Sequence, residues 1–251
     1  MSDVTDDVVI GNVVFDAPFA GDRDLFARTA GAIADMYARL LALPNRMRAE
    51  FAKERGYEPD EGDYVDPCVG PDEYELGIAF EWQSDGYEPP RWPDPAFPQQ
   101  MHVDVFTADV DASEQLVVRH GAIKLADNGD HRVFADAGGH PFCLRADPSM
   151  VTPRIRRIVI DGPDPDALAT FYADLFGEGD AYRMLAFQHS DARGPRFPDP
   201  RFPEQVHLDL YVPDAAPAHE RASRLGAPVL FETEHHRVYA DPAGHPFCVC
   251  A

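Results

Sequence analysis

Residues His131 to Cys143 read H-R-V-F-A-D-A-G-G-H-P-F-C, and residues His236 to Cys248 read H-R-V-Y-A-D-P-A-G-H-P-F-C. The match continues upstream at a constant offset of 105. Arg91-Trp92-Pro93-Asp94-Pro95 returns as Arg196-Phe197-Pro198-Asp199-Pro200, and Gln100-Met101-His102-Val103-Asp104 returns as Gln205-Val206-His207-Leu208-Asp209. Arg91–Cys143 aligns with Arg196–Cys248 without a gap, and nearly half of the positions are identical. Self-similarity at this level makes the chain a tandem duplication, so its architecture is that of the repeat unit.

The second copy gives the plainer pattern. Ile155–Ile160 reads as a strand ended by Asp161-Gly162-Pro163. Asp164 then caps a helix with Pro165 in its first turn, its apolar face is Leu168, Phe171, Tyr172 and Leu175, and Gly177 stops it. Short strands are expected around Tyr182–Gln188, a proline-rich loop over 194–203, and an alternating strand over Val206–Val212. Asp214–Leu225 reads as a second helix, Val229–Glu232 and Arg237–Ala240 as strands, and Pro246–Cys250 as the last strand after an Asp241–Gly244 turn. The first copy repeats the plan: strand Val8–Phe15, a helix from about Asp22 to Leu43, and a strand within Glu73–Gln83. It adds an insertion at about 45–71, read as a helical piece Asn45–Arg55 followed by a flexible or lid-like loop. This is an α+β chain of repeated β-α-β-β(-β) modules, divided into domains 1–147 and 148–251 by a linker, Ala146–Pro153.

Composition excludes several classes. The 251 residues carry Lys+Arg 22 against Asp+Glu 44, a net charge of −22, which repels nucleic acid and anionic membrane. No apolar run reaches membrane-spanning length, and the first residues lack the basic and apolar regions of a secretory signal. The four cysteines, Cys68, Cys143, Cys248 and Cys250, form no C-x-x-C pair. They read as reduced thiols of a cytoplasmic protein. Gly-rich phosphate loops, G-x-S-x-G elbows and H-E-x-x-H pairs are missing, which disfavours nucleotide-dependent and triad-hydrolase chemistry.

Two pieces carry a resemblance: Val206-His207-Leu208-Asp209-Leu210 before the helix ending Leu225-Gly226-Ala227, and Tyr239-Ala240-Asp241-Pro242-Ala243-Gly244-His245-Pro246-Phe247. The chain resembles the vicinal oxygen chelate superfamily, which includes glyoxalase I, bleomycin and fosfomycin resistance proteins and extradiol dioxygenases. The resemblance covers nearly the whole chain outside about 45–71. It implies two tandem glyoxalase-like domains packed as a pseudo-dimer, each rolling a mixed sheet into a cup for a small ligand. It further implies a protein acting as a monomer with that internal pairing, or as a homodimer. Metal-using members hold a divalent ion by a first-strand residue, a His opening a later strand, and a last-strand Glu. Mapped here, the His is His102 and His207. The first-strand position falls at about Asn12 and Arg157, and Cys143 and Cys248 replace the Glu. An Arg repels a cation, and one His with one Cys is half a tetrahedral site. The expectation is therefore metal-free cups, with a divalent metal (Zn, Fe, Ni or Mn) on His102, His207, Cys143 and Cys248 as the alternative. Cup composition stays open: one cup would combine Asn12, His207 and Cys248, the other Arg157, His102 and Cys143.

His102 and Asp104, like His207 and Asp209, share a strand face, either as a general base with its partner or as a hydrogen-bonded interior pair. Glu81, answered by Gln188, is a candidate base or ligand if its face lines the cup, and otherwise a solvated edge charge. Cys143 and Cys248 read as small buried fillers or as nucleophiles, with no cationic neighbour in sequence to activate them. Trp92 and Phe197, on proline-stiffened loops, would stack a flat ligand or seal the sheets. Arg157 would suit an anionic ligand or an internal carboxylate. The functions expected are a lyase or isomerase using His102, His207 or Glu81, or a small-molecule (antibiotic) sequestering protein. The alternatives are a divalent-metal glyoxalase or dioxygenase, or one domain kept only as scaffold.

Overall fold

The computed structural model describes residues 8–18, 22–47, 49–50, 67–70, 76–83, 89–94, 96–177, 179–192, 194–196, 199, 202–233 and 236–250. The first module holds β1 (Val9–Pro18), α1 (Arg23–Leu41), β2 (Asn45–Met47), β3 (Pro67–Val69) and β4 (Gly77–Gln83). The second holds β5 (Met101–Thr107), α2 (Val110–Arg119), β6 (Ile123–Asp127), β7 (His131–Ala135) and β8 (Pro141–Ala146). The third holds β9 (Arg154–Gly162), α3 (Pro165–Phe176), a single turn α4 (Asp180–Arg183) and β10 (Leu185–His189). The fourth holds β11 (Val206–Tyr211), α5 (Ala215–Arg224), β12 (Val229–Glu232), β13 (His236–Ala240) and β14 (Pro246–Cys250). Asp22, Asp109, Asp164 and Asp214 cap the four longer helices through their carboxylates, each satisfying an amide that a helix start leaves orphaned.

The strands form two mixed sheets, and each sheet draws on both repeats. The larger runs β12-β13-β14-β11-β1-β4-β3-β2, the smaller β10-β9-β5-β8-β7-β6. The joining pairs are antiparallel: β1 on β11, with Val14 opposite His207, and β9 on β5, with Arg157 opposite Asp104. Module one therefore completes the cup of module four, and module three that of module two.

Period-two alternation sends one face of every central strand into the core. Val13, Phe15, Ile78, Phe80, Val206, Leu208, Leu210, Phe247 and Val249 are buried there, as are Val103, Val105, Phe142, Leu144, Ile158 and Ile160 of the smaller sheet. The two long helices tie the sheets together. Tyr37 of α1 stacks on Phe15 of the larger sheet and meets Phe142 of the smaller edge-on. Tyr172 of α3 stacks on Phe187 of the smaller sheet and meets Phe247 of the larger edge-on.

The repeated H-P-F-C stretch is explained by its turn. Asp241 Oδ1 accepts from the amides of Ala243 (2.8 Å) and His245 (2.9 Å), and Oδ2 from His245 Nδ1 (2.9 Å) and the Tyr172 hydroxyl (3.2 Å). Asp136 makes the matching bonds to Gly138 and His140. Gly139 and Gly244 sit at φ +89 and +95, against the carbonyls of Pro90 and Pro195, a backbone state and a closeness that only glycine meets easily. The proline loops thus pack on the turns. Arg91 covers the Phe97 ring at 3.6 Å and Arg196 the Phe202 ring at 4.6 Å.

Two expectations change. Asn45–Met47 is a strand and not the start of a helix: it pairs antiparallel with Pro67–Val69, so the inserted chain folds back onto the sheet edge. Residues 51–66 of the insertion lie outside the described residues. Tyr182 belongs to the α4 turn, and the strand begins only at Leu185, where pairing with Ile158 of β9 starts. The first-copy strand falls within 73–83 as expected, at Gly77–Gln83, where its parallel pairing with Asn12 begins.

Candidate functional site

The face of each sheet turned from the core is polar at its centre. On the larger sheet it carries Asn12, Asp16, Glu81, His207, Asp209, Cys248 and Cys250; on the smaller, Arg157, Asp161, Gln188, His102, Asp104, Cys143 and Arg145. The pairing that brings Asn12 to His207 and Cys248, and Arg157 to His102 and Cys143, is the combination left open above.

In the His207 cup three ligand-capable side chains converge from three strands. Asp16 stands beside Glu81 in the parallel β1–β4 register, and His207 lies diagonally across from Asp16 on β11. Ligand atoms of Asp16, Glu81 and His207 all lie within 4.8 Å of one another. His207 Nε2 is 3.9 Å from Glu81 Oε2 and 3.6 Å from Asp209 Oδ1, while Nδ1 sits 2.5 Å from Glu204 Oε1. Burial opposes protonation of this imidazole, but Glu204 and Asp209 outweigh it and hold its pKa well above 6.5. Asn12 does not join the three. Its amide donates to Asp209 Oδ2 (3.2 Å) and the Tyr211 hydroxyl (3.3 Å). Sequence reasoning gave Asp16 no role in a site, since it lies one residue past the expected strand Val8–Phe15.

The His102 cup has the same skeleton and different charges. Gln99 stands where Glu204 does, Gln188 for Glu81, Arg157 for Asn12 and Arg145 for Cys250. Each of the four differences leaves the His207 cup the more negative. Gln99 Nε2 donates to Asp161 Oδ2 at 2.8 Å and lies 3.2 Å from His102 Nδ1. A carboxylate only accepts, so this amide nitrogen is the donor to both, and neutral His102 carries its proton on Nε2. Burial lowers the His102 pKa to about 4, against the pull of Asp104. Asp104, fully buried, accepts from Arg145 Nε (2.6 Å) and Arg157 Nη1 (3.3 Å). Two guanidinium groups and an N–H where a lone pair is needed make this cup a poor cation host. Burial first, and then Asp104, push the Cys143 thiol up to about 12, which removes it as a ready nucleophile.

Asp161 supplies a pH test. Its burial raises its pKa to about 6, against Gln99 and His245, which favour the anion. The folded protein then holds a proton between about pH 4 and 6 that the unfolded chain has lost, so stability falls as pH rises through that window. Asp161→Asn keeps an acceptor for Gln99 and removes the cost. Relative to the parent, its unfolding free energy should gain up to about 3 kcal/mol between pH 4 and pH 6. Parallel urea-unfolding profiles across that range would show that Asp161 is not perturbed.

Trp92 is half-buried on its loop; Phe197 lies outside the described residues. No helix among the described residues is long and apolar enough to cross a membrane, and all four cysteines are free.

A family model described as "Glyoxalase-like domain" matches residues 22–145 and again 157–250. Glyoxalase I from Zea mays superposes with a TM-score of 0.60 at 12% identity, over 97% of this chain and 92% of that one. A Bacillus subtilis protein assigned as a dioxygenase superposes with a TM-score of 0.56 at 12% identity, over 96% and 85%. At these identities the likeness is one of fold. No match was found among curated proteins.

Proposed function

The chain belongs to the glyoxalase-like domain family, and from that premise we propose that its His207 cup binds a divalent cation together with a small organic ligand bearing adjacent oxygen atoms. The observation that carries this is the convergence of Asp16, Glu81 and His207, with donor atoms within 4.8 Å of one another. The geometry thus favours the metal-dependent alternative for this cup, while the charges of the His102 cup favour a metal-free state there. The donor set fits a divalent ion: two carboxylate oxygens and an imidazole nitrogen suit zinc, manganese, iron or nickel. Glu204 fits as well. Facing Nδ1, it would hold that proton while a cation displaces the one on Nε2, which is turned to Glu81 and Asp209, the arrangement in which a ligating His is oriented by a carboxylate behind it.

A cation bound here would act as a Lewis acid on the ligand's oxygens. The protein's own groups divide the rest. Asp209, held by Asn12, and Tyr211 line the floor beside the imidazole and would orient ligand hydroxyls. Glu81, half-exposed, would take a proton from a bound ligand with the carboxylate oxygen not given to the cation, the role an isomerase or lyase requires. The protein would work as a monomer with its pseudo-dimer built in, in a reducing cytoplasm that keeps its thiols free.

The test is elemental analysis of protein prepared without chelator or a His tag, followed by manganese titration of the chelator-stripped chain. Close to one manganese per chain is expected at Asp16, Glu81 and His207. It should vanish in His207→Ala and persist in His102→Ala. A chain that binds no divalent cation, or a His207→Ala variant that binds as the parent does, rejects the reading.

A further inference from the structure

Cys250 follows Cys248 by two residues on β14, so both thiols project from the same face. Asp209 stands beside Cys248 in the parallel β11–β14 register. Donor atoms of Asp209, Cys248 and Cys250 lie within 4.8 Å of one another, and the two sulfurs are 2.9 Å apart. Cys248 and Asp209 are 5% and 9% exposed, and Cys250 is half-buried.

The companion cup shows what this position is for. There Asp104 and Cys143 keep the same register, but Arg145 replaces Cys250 and Arg157 replaces Asn12. Two guanidinium groups donate to the carboxylate, at 2.6 and 3.3 Å, so the charge of the buried Asp is balanced from within the chain. In the His207 cup both positions are uncharged, and the cationic group nearest Asp209 is the His207 ring, with Nε2 3.6 Å from Oδ1. A neutral amide faces Asp209, and a second thiol stands where the nearer guanidinium would be. A buried carboxylate next to two thiols has the composition of a soft-cation site: three protein donors and an open fourth position.

We propose that Asp209, Cys248 and Cys250 form a second cation site, for one thiophilic divalent cation of the zinc class, which takes the place that Arg145 fills in the other cup. Two thiolates on one tetrahedral zinc lie roughly 3.8 Å apart, at Zn–S distances of about 2.3 Å. The pair therefore needs only a small side-chain rotation to open around the ion. Each thiol gives its proton to solvent as its bond to the cation forms, so the site loads two protons lighter. It uses none of Asp16, Glu81 or His207 and does not rest on the reading of that set, sharing with that cup's floor only Asp209, 3.6 Å from His207 Nε2.

Cadmium is the probe, titrated into the full chain under a non-thiol reductant and read by the thiolate-to-cadmium charge-transfer absorption in the ultraviolet. The band should saturate at one cadmium per chain, disappear in Cys250→Ser, and stay in Cys143→Ser. It should also stay in His207→Ala, which removes the neighbouring set and so separates failure of this site from failure of that one. Cys250 is partly exposed, so its serine variant should keep the parent's thermal transition, and Cys248→Ser serves as the second variant. No band in the parent, or a band that survives Cys250→Ser, overturns the site. Loss of the band in His207→Ala also overturns it, since a single shared ion would then account for both sets.

Discussion

Glu204→Gln should weaken divalent-cation binding in the His207 cup by roughly 10–100-fold without touching any atom that would meet the ion, the size of effect expected when the partner behind a ligating His is changed. The reason is proton placement. A glutamate behind Nδ1 can only accept, so it holds the proton there while the cation displaces the one on Nε2. A glutamine can turn its amide toward the ring, as Gln99 does toward His102 at 3.2 Å, and the proton then moves to Nε2. Adding Glu81→Gln removes a carboxylate as well and installs the pattern of the other cup, Gln99 with Gln188. The double variant should bind no manganese at concentrations that saturate the parent. Calorimetry gives the affinity, and imidazole nitrogen shifts in NMR report which nitrogen of His207 carries the proton. An unchanged affinity in the double variant would mean that the charge difference between the cups does not decide where a cation goes.

Asp241→Ala should cost about 3–5 kcal/mol, the scale for removing one partner of a buried charged network. The carboxylate is 5% exposed and satisfies two backbone amides, the His245 ring and the Tyr172 hydroxyl. Its loss leaves all four donors without it in a turn pressed between α3 and the Pro195 loop. A typical domain is stable by 5–15 kcal/mol, so the variant should unfold at clearly lower urea. Asp241→Asn keeps one acceptor oxygen and should cost less, about 1–2 kcal/mol. A loss below 1 kcal/mol in the alanine variant would mean that water replaces the carboxylate.

Much of the fold was legible because its signals are local. Capping aspartates, 3.6-residue apolar spacing and the D-x-x-G-H turn each act within a few residues of themselves. Module pairing was not legible, because β5 and β11 are near copies: either His-x-Asp strand offers the same surface to β1 and to β9. The site divides in the same way. Period-two parity put His102 with Asp104 and His207 with Asp209, and it equally puts Cys250 with Cys248. Asp16 needed its neighbour Glu81, some 65 residues further along the chain, in a parallel register that no local pattern encodes. The Glu204 and Gln99 difference is plain in the repeat alignment. Its meaning came only from seeing which atom of each faces the ring.

The crossing of strands between repeats also bears on inheritance. In a dimer of identical chains a substitution is written into both cups at once, so a cup cannot gain an arginine unless its twin gains it too. Here one sheet takes its first strand from residues 9–18 and the other from 154–162. Joining two such chains end to end gave each cup its own copy of every position. Arg157 could then enter one while Asn12 stayed in the other, and neither cup was bound to repeat the chemistry of its twin.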